Sequence, residues 1–158
     1  MKTAIIFYSY EGSSLVTADL IKEAINADSF RIRTVDKKKR KGFFKYLWGG
    51  RQVVFNIKPA LKPLPVDINA YDLIILGTPL WAGSPAPALV SFLHNTKITG
   101  KKIALFCSYA GSSGEVFAKL KALLGGNTFA GEIGFKNPAQ MESAELKQKI
   151  SSWIKTLA

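Results

Sequence analysis

Cysteine and histidine are nearly missing from the 158 residues: Cys107 and His94 each stand alone. A single thiol cannot close an intramolecular disulfide, and together with one imidazole it leaves no cysteine-clustered metal site and no basis for a Ser/His/Asp triad. A reducing compartment fits this usage, and a cytoplasmic location is expected. His94 falls near the end of a helical stretch, where the dipole favours a cation, and Cys107 ends an apolar run, the usual place of a small core residue. Neither is assigned a catalytic role, and no pair of carboxylates is placed for acid–base work. Long apolar runs are also lacking. No stretch approaches the roughly 20 residues that span a bilayer, and the opening MKTAIIFYSYEG has neither the apolar core nor the small-residue cleavage site of a signal peptide. Acid is absent between Asp36 and Asp67, a span that holds nine basic residues: Lys37, Lys38, Lys39, Arg40, Lys41, Lys45, Arg51, Lys58 and Lys62. The formal net charge of +11 therefore belongs to one segment, and the remainder is nearly neutral, with 13 bases against 11 acids. Internal repeats and low-complexity tracts are missing as well.

What is present is a 47% hydrophobic chain long enough for one core and too short for two ordinary domains. Ala4 to Tyr8 is a short, almost wholly apolar run, the mark of a strand buried on both faces. It is followed by Leu15, Ala18, Leu20, Ile21, Ala24 and Ile25 at helical spacing. The alternation in Ser29 to Val35 predicts an edge or near-edge strand with one wet face. Further strands are expected over Leu73 to Gly77, Lys101 to Ser108 and Thr128 to Gly134, with helices over 85–94, 115–124 and 141–157. The last carries Leu146, Ile150, Trp153, Ile154 and Leu157 on one stripe. In the basic stretch Phe43, Phe44, Leu47, Val54 and Phe55 suit an amphipathic helix broken by Gly49 and Gly50, and Pro59, Pro63 and Pro65 forbid helix beyond it. Five strands alternating with helices predict a doubly wound α/β sandwich with a parallel sheet.

In such sheets a ligand sits outside the carboxyl ends of the strands. Three loops end there: Ser9 to Ser14, Thr78 to Ser84 and Ser108 to Gly114. In the first, backbone N–H groups, serine hydroxyls and the positive end of a helix dipole converge, which suits a phosphate, although Ser13 or Ser14 simply capping the helix is the alternative. Neither G-x-G-x-x-G nor G-x-x-x-x-G-K-[ST] can be written in this turn, which argues against a dinucleotide or nucleoside triphosphate. Trp81, amid Gly, Ala, Pro and Ser in GTPLWAGSPAP, has few neighbours of its own to pack against. Ordinary packing remains the alternative for it and for Tyr109. The glycines and alanines of these loops, Gly77 among them, suit close approach of backbone to a ligand.

Ser9, Gly12, Ser13 and Ser14 resemble the [ST]-x-x-G-x-[ST] phosphate turn of the flavodoxin family, and GTPLWAGSPAP resembles that family's second loop. Glu11 departs from the pattern, so only its backbone N–H is expected to help. The resemblance covers essentially residues 1–158 as one domain, with a basic aromatic insert at about 37–66. It implies a flavodoxin-like three-layer sandwich with a five-stranded parallel sheet in the order 2-1-3-4-5, of the short-chain type because TFAGEIGF holds no large loop. It further implies FMN as cofactor, held by Ser9, Tyr10, Glu11, Gly12, Ser13 and Ser14, by Thr78, Pro79, Leu80, Trp81, Ala82 and Gly83, and by Ser108, Tyr109, Ala110, Gly111 and Gly114. On this pattern Trp81 and Tyr109 sandwich the isoalloxazine ring, and the Gly83 peptide is able to turn towards it.

The chemistry would then be the cofactor's, and electron transfer is the expected role. An FMN-dependent NAD(P)H:quinone oxidoreductase is the alternative, less favoured because no extra segment builds a substrate pocket. The basic insert, with Phe43, Phe44, Tyr46, Leu47, Trp48 and Phe55 interleaved among its charges, suggests docking on an acidic redox protein partner or an anionic membrane surface, with a solvated charge run as the bland reading. Its confinement to one segment and the lack of a recognisable motif disfavour nucleic acid.

Overall fold

Strand β1 (Thr3–Tyr8) is buried along its whole length, and its side chains alternate between two cores. Ala4, Ile6 and Tyr8 enter one cluster, Ile5 and Phe7 the other. Strands β3 (Leu73–Trp81) and β5 (Lys102–Tyr109) divide in the same way. Ile74, Leu76, Ile103, Leu105 and Cys107 face the first core, and Leu73, Ile75, Ala104 and Phe106 face the second. A strand covered on both sides has no polar face, which is why these segments read as unbroken apolar runs. The structure is a computed structural model that describes residues 1–35 and 59–158. The helix expected around Phe43 to Phe55, and most of the basic insert, lie outside the described residues.

Helices α1 (Ser13–Ile25) and α4 (Ser143–Lys155) cover the second core with Ala18, Ile21, Leu146, Ile150 and Trp153. Helices α2 (Pro87–Asn95) and α3 (Val116–Leu123) cover the first with Leu89, Phe92, Val116 and Leu120. The result is three layers around a sheet ordered β2-β1-β3-β5-β6, with every neighbouring pair parallel. Strands β2 (Asp28–Ile32) and β6 (Thr128–Lys136) are the edges, and β4 (Ser84–Pro85) is a two-residue strand antiparallel to the end of β3. Counted without β4, this is the expected order 2-1-3-4-5, with β3 central and β2 at an edge. No helix among the described residues is long and apolar enough to cross a membrane.

Three departures from the sequence reading have local causes. First, β2 stops at Ile32 rather than Val35, because its partner β1 ends at Tyr8, opposite Ile32. The chain then pairs elsewhere: Val35 N–H donates to Ala60 O and Lys62 N–H to Arg33 O, with Thr34 opposite Leu61 in an antiparallel bridge. Second, β3 runs on to Trp81 and folds back through Ala82 and Gly83, so most of the expected loop is a tight hairpin. Both turn residues have positive φ, 48° and 73°, as a type I′ turn requires. For Ala82 that conformation costs about 1 to 2 kcal/mol, so the surroundings must hold it. Third, Gly77 does not serve a ligand. A Cβ on it would lie 2.0 Å from the Phe106 ring, so the glycine makes room for a core aromatic.

Candidate functional site

The turn after β1 is organised by Ser9, whose Oγ accepts from Gly12 N–H at 3.1 Å and from Leu15 N–H at 3.2 Å. The second of these satisfies one of the amides that open α1 and lack a partner within the helix. Gly12 is the N-cap residue, at φ 105° in the region that favours glycine, and makes no side-chain cap. Capping by Ser13 or Ser14 is therefore not what this turn does. Their two N–H groups have no acceptor among the described residues, and they stand at the positive end of the helix. Ser14 is buried, and its hydroxyl donates to Ser108 Oγ at 3.2 Å, tying this turn to the loop after β5.

A cation enters that sequence reading did not find. Arg31, on β2, donates from Nη2 to Ser9 O at 3.0 Å, and desolvation together with neighbouring Arg33 pushes its pKa below the usual guanidinium value. The signal lay in the pairing register, which sets Arg31 opposite Phe7 just before the turn.

The second wall is aromatic. Trp81, half-buried at the end of β3, meets the Tyr8 ring edge-on at 5.8 Å and the Tyr10 ring edge-on at 5.5 Å. Burial, reinforced by Tyr10, pushes the Tyr8 phenol up to about 12, so it stays protonated near neutral pH. The Tyr109 ring lies over Gly134, where a Cβ would come within 2.7 Å of it. The Cys107 thiol beneath is fully buried and pushed up to about 12 by desolvation and then by Glu132, so it is inert as a nucleophile.

These walls enclose a cavity of about 380 Å³ at the carboxyl edge of the sheet, within the roughly 300 to 1,000 Å³ of small-molecule sites. Twelve of the expected residues line it: Ser9, Tyr10, Glu11, Ser13 and Ser14 from the first loop, Pro79, Leu80, Trp81 and Ala82 from the second, and Ser108, Tyr109 and Ala110 from the third. Five do not. Gly12, Gly83, Gly111 and Gly114 shape the loops from outside the lining. Thr78 is fully buried, and its hydroxyl is engaged on both sides, accepting from Ala86 N–H and donating to Pro79 O, each at 2.9 Å. It fixes the start of α2 rather than facing the cavity.

Asn137, Pro138, Ala139 and Gln140 also line the cavity, from a loop after β6 that sequence reading passed over. Asn137 has φ 45°, and its N–H donates to Tyr109 O at 2.8 Å. The Asn-Pro pair was the available signal, together with the rule that every strand of a parallel sheet ends at the same edge.

No family model and no curated protein matches the chain, but solved structures do. A flavoprotein from Lactobacillus acidophilus NCFM, solved in complex with FMN, is 22% identical with a TM-score of 0.76, and the match covers 97% of this chain and 98% of that one. A candidate flavoprotein from Bacteroides uniformis ATCC 8492 is 19% identical with a TM-score of 0.82 over 98% and 97% of the two chains. The two-electron reduced flavodoxin of Megasphaera elsdenii is 20% identical with a TM-score of 0.62 over 98% and 99%. At such identities the likeness speaks for architecture, and together with the strand order it shows that this chain has the flavodoxin-like fold.

Proposed function

We propose that the chain binds FMN in this cavity and acts in electron transfer. The observation that carries the reading is the pair of amides, Ser13 N–H and Ser14 N–H, that have no acceptor among the described residues and stand at the positive end of α1 in a cavity whose other wall is aromatic. A phosphate needs donors, and the Ser108 hydroxyl, which accepts from Ser14 Oγ, adds its own proton to the amides. A flat ring needs apolar faces, which Trp81 and Tyr109 offer. The likeness to a structure holding FMN supports this phosphate-bearing ring over others.

When bound, FMN supplies reversible one- and two-electron chemistry. The chain's own residues bind and orient it. The α1 amides hold the anionic end, Ser9 and Arg31 keep the turn in shape, and the hairpin bearing Trp81 covers the ring and excludes water. A purified preparation should show flavin absorption bands, and the FMN-loaded protein should pass electrons to acceptors only when a separate reductase is present. Oxidation of NAD(P)H by a quinone with this protein alone would replace the carrier reading with that of an FMN-dependent NAD(P)H:quinone oxidoreductase.

The partner we propose has an acidic docking surface, matched to the nine basic residues between Asp36 and Asp67. Exchange with it should slow as salt shortens the Debye length from about 30 Å at 0.01 M to about 10 Å at 0.1 M.

Trp81→Ala should weaken FMN binding by about 0.5 to 1.5 kcal/mol beyond the loss of buried area, and should brighten the bound flavin's fluorescence. Because Trp81 also packs on Tyr8 and Tyr10, thermal unfolding is measured alongside. Lower stability with flavin still quenched and tightly held would make Trp81 a packing residue only.

A further inference from the structure

Lys119 belongs to the exposed face of α3, yet its ammonium reaches across to the β3–β4 turn. Nζ donates to Ser84 Oγ at 2.6 Å and to Gly83 O at 3.3 Å. The turn it meets joins Trp81 to Ser84, which are paired across the hairpin, and it carries Ala82 in a conformation that alanine does not choose by itself. The loop after β5 comes near the turn from a second direction: a Cβ on Gly114 would lie 3.8 Å from the Gly83 carbonyl oxygen.

A lone surface lysine ordinarily contributes little, because water solvates its charge and holding its stem costs entropy. This one is different in its target. It meets one acceptor in a strained two-residue turn and one on the residue that follows it, and the residue immediately before that turn is the indole that walls the cavity.

We infer that Lys119 is a positioning residue for the aromatic wall: by clamping the Ala82–Gly83 turn to α3, it fixes Trp81 for stacking on the ligand's ring. With the Gly83 carbonyl engaged by Nζ, the clamp also opposes the turning of that peptide towards the cavity that sequence resemblance suggested. The consequence for the ligand rests on the FMN reading above, but the clamp itself does not.

The test uses Lys119→Met, which keeps the apolar stem and removes the donor, and Lys119→Arg, which restores one. In the ligand-free protein, acrylamide quenching of Trp81 is isolated by comparison with the same variants carrying Trp81→Phe. Lys119→Met should raise Trp81 quenching by about twofold, as a less constrained hairpin opens more often, and Lys119→Arg should restore the native value. With ligand, Lys119→Met should weaken FMN and riboflavin alike, by about three- to tenfold, because it loosens the ring end and leaves the phosphate end intact. Thermal unfolding should stay near that of the native chain.

Unchanged quenching in Lys119→Met overturns the clamp. Weakened FMN with unaltered riboflavin binding also overturns the inference, since the lysine would then act on the phosphate. If the native chain takes up no flavin, the FMN reading fails, and the quenching comparison still decides the clamp.

Discussion

FMN is expected to bind this protein about a hundred to ten thousand times more tightly than riboflavin, which differs from it only in lacking the phosphate. Two amide donors to a charged group contribute roughly 1.5 to 3 kcal/mol each, and every 1.4 kcal/mol is about a factor of ten. Ser13 and Ser14 offer those donors with no competing acceptor among the described residues, so little has to be broken before the anion is received. Ser14→Ala should reduce FMN affinity by about 1 to 3 kcal/mol and leave riboflavin nearly unchanged, since it removes the hydroxyl that holds and orients Ser108 Oγ at the phosphate end alone. The pH dependence has a definite sign. Donors around the anion favour the dianion, so the bound phosphate titrates below its usual second pKa of about 6, and affinity falls as the solution is acidified through that range. Riboflavin should show no such fall. Titration calorimetry or flavin fluorescence with the two ligands checks all three statements, and equal affinities would remove the phosphate from this turn.

The second large effect concerns stability. Gly77→Ala should destabilise the fold by about 1 to 3 kcal/mol, the usual loss when an extra group is forced into a full core. Its Cβ would fall 2.0 Å from the Phe106 ring, and both residues lie in the sheet with their neighbours fully buried. Relief must come from the ring. Adding Phe106→Leu should therefore cost less in the Gly77→Ala background than in the native chain, a coupling that urea unfolding of the four proteins measures. If Gly77→Ala unfolds at the native urea concentration, the ring turns aside freely and the glycine has no packing role.

The parts of the fold legible in the sequence were those whose cause is local. Ala4 to Tyr8 and Leu73 to Gly77 announced buried strands because burial on both faces leaves no polar face, Lys101 to Ser108 announced a strand by its apolar centre, and the stripe Leu146, Ile150, Trp153 announced α4 because one face must be apolar. The three loops followed from the rule that ligands gather at one edge of a parallel sheet. What escaped depends on partners far along the chain. Nothing near Gly77 says that Phe106 will occupy its missing side chain, and nothing near Thr78 says that its hydroxyl will be used by Ala86 N–H. The hairpin at Ala82–Gly83 was hidden because alanine rarely adopts positive φ, so the pair lacks the Asn-Gly signature by which such turns are recognised. Arg31 was invisible for a similar reason, since its contact with Ser9 exists only once β2 has found its register on β1.

The short antiparallel contact that follows β2 has a consequence for how this chain can vary. Val35 N–H lies 3.0 Å from Ala60 O, so the described chain before residue 36 and the described chain after residue 58 meet at one place. The junction is anchored on the domain itself: Pro59 O accepts from Ser91 Oγ at 2.8 Å, and Leu61 and Leu64 pack on the first core. In general, doubling the length of a loop whose ends are held together costs only about 0.6 kcal/mol of closure entropy. The register of β1 against β2 and β3 is thus insulated from whatever is written between the two anchors. A change of length between the anchors therefore costs folding little, while the anchors and the sheet stay under the constraint of folding.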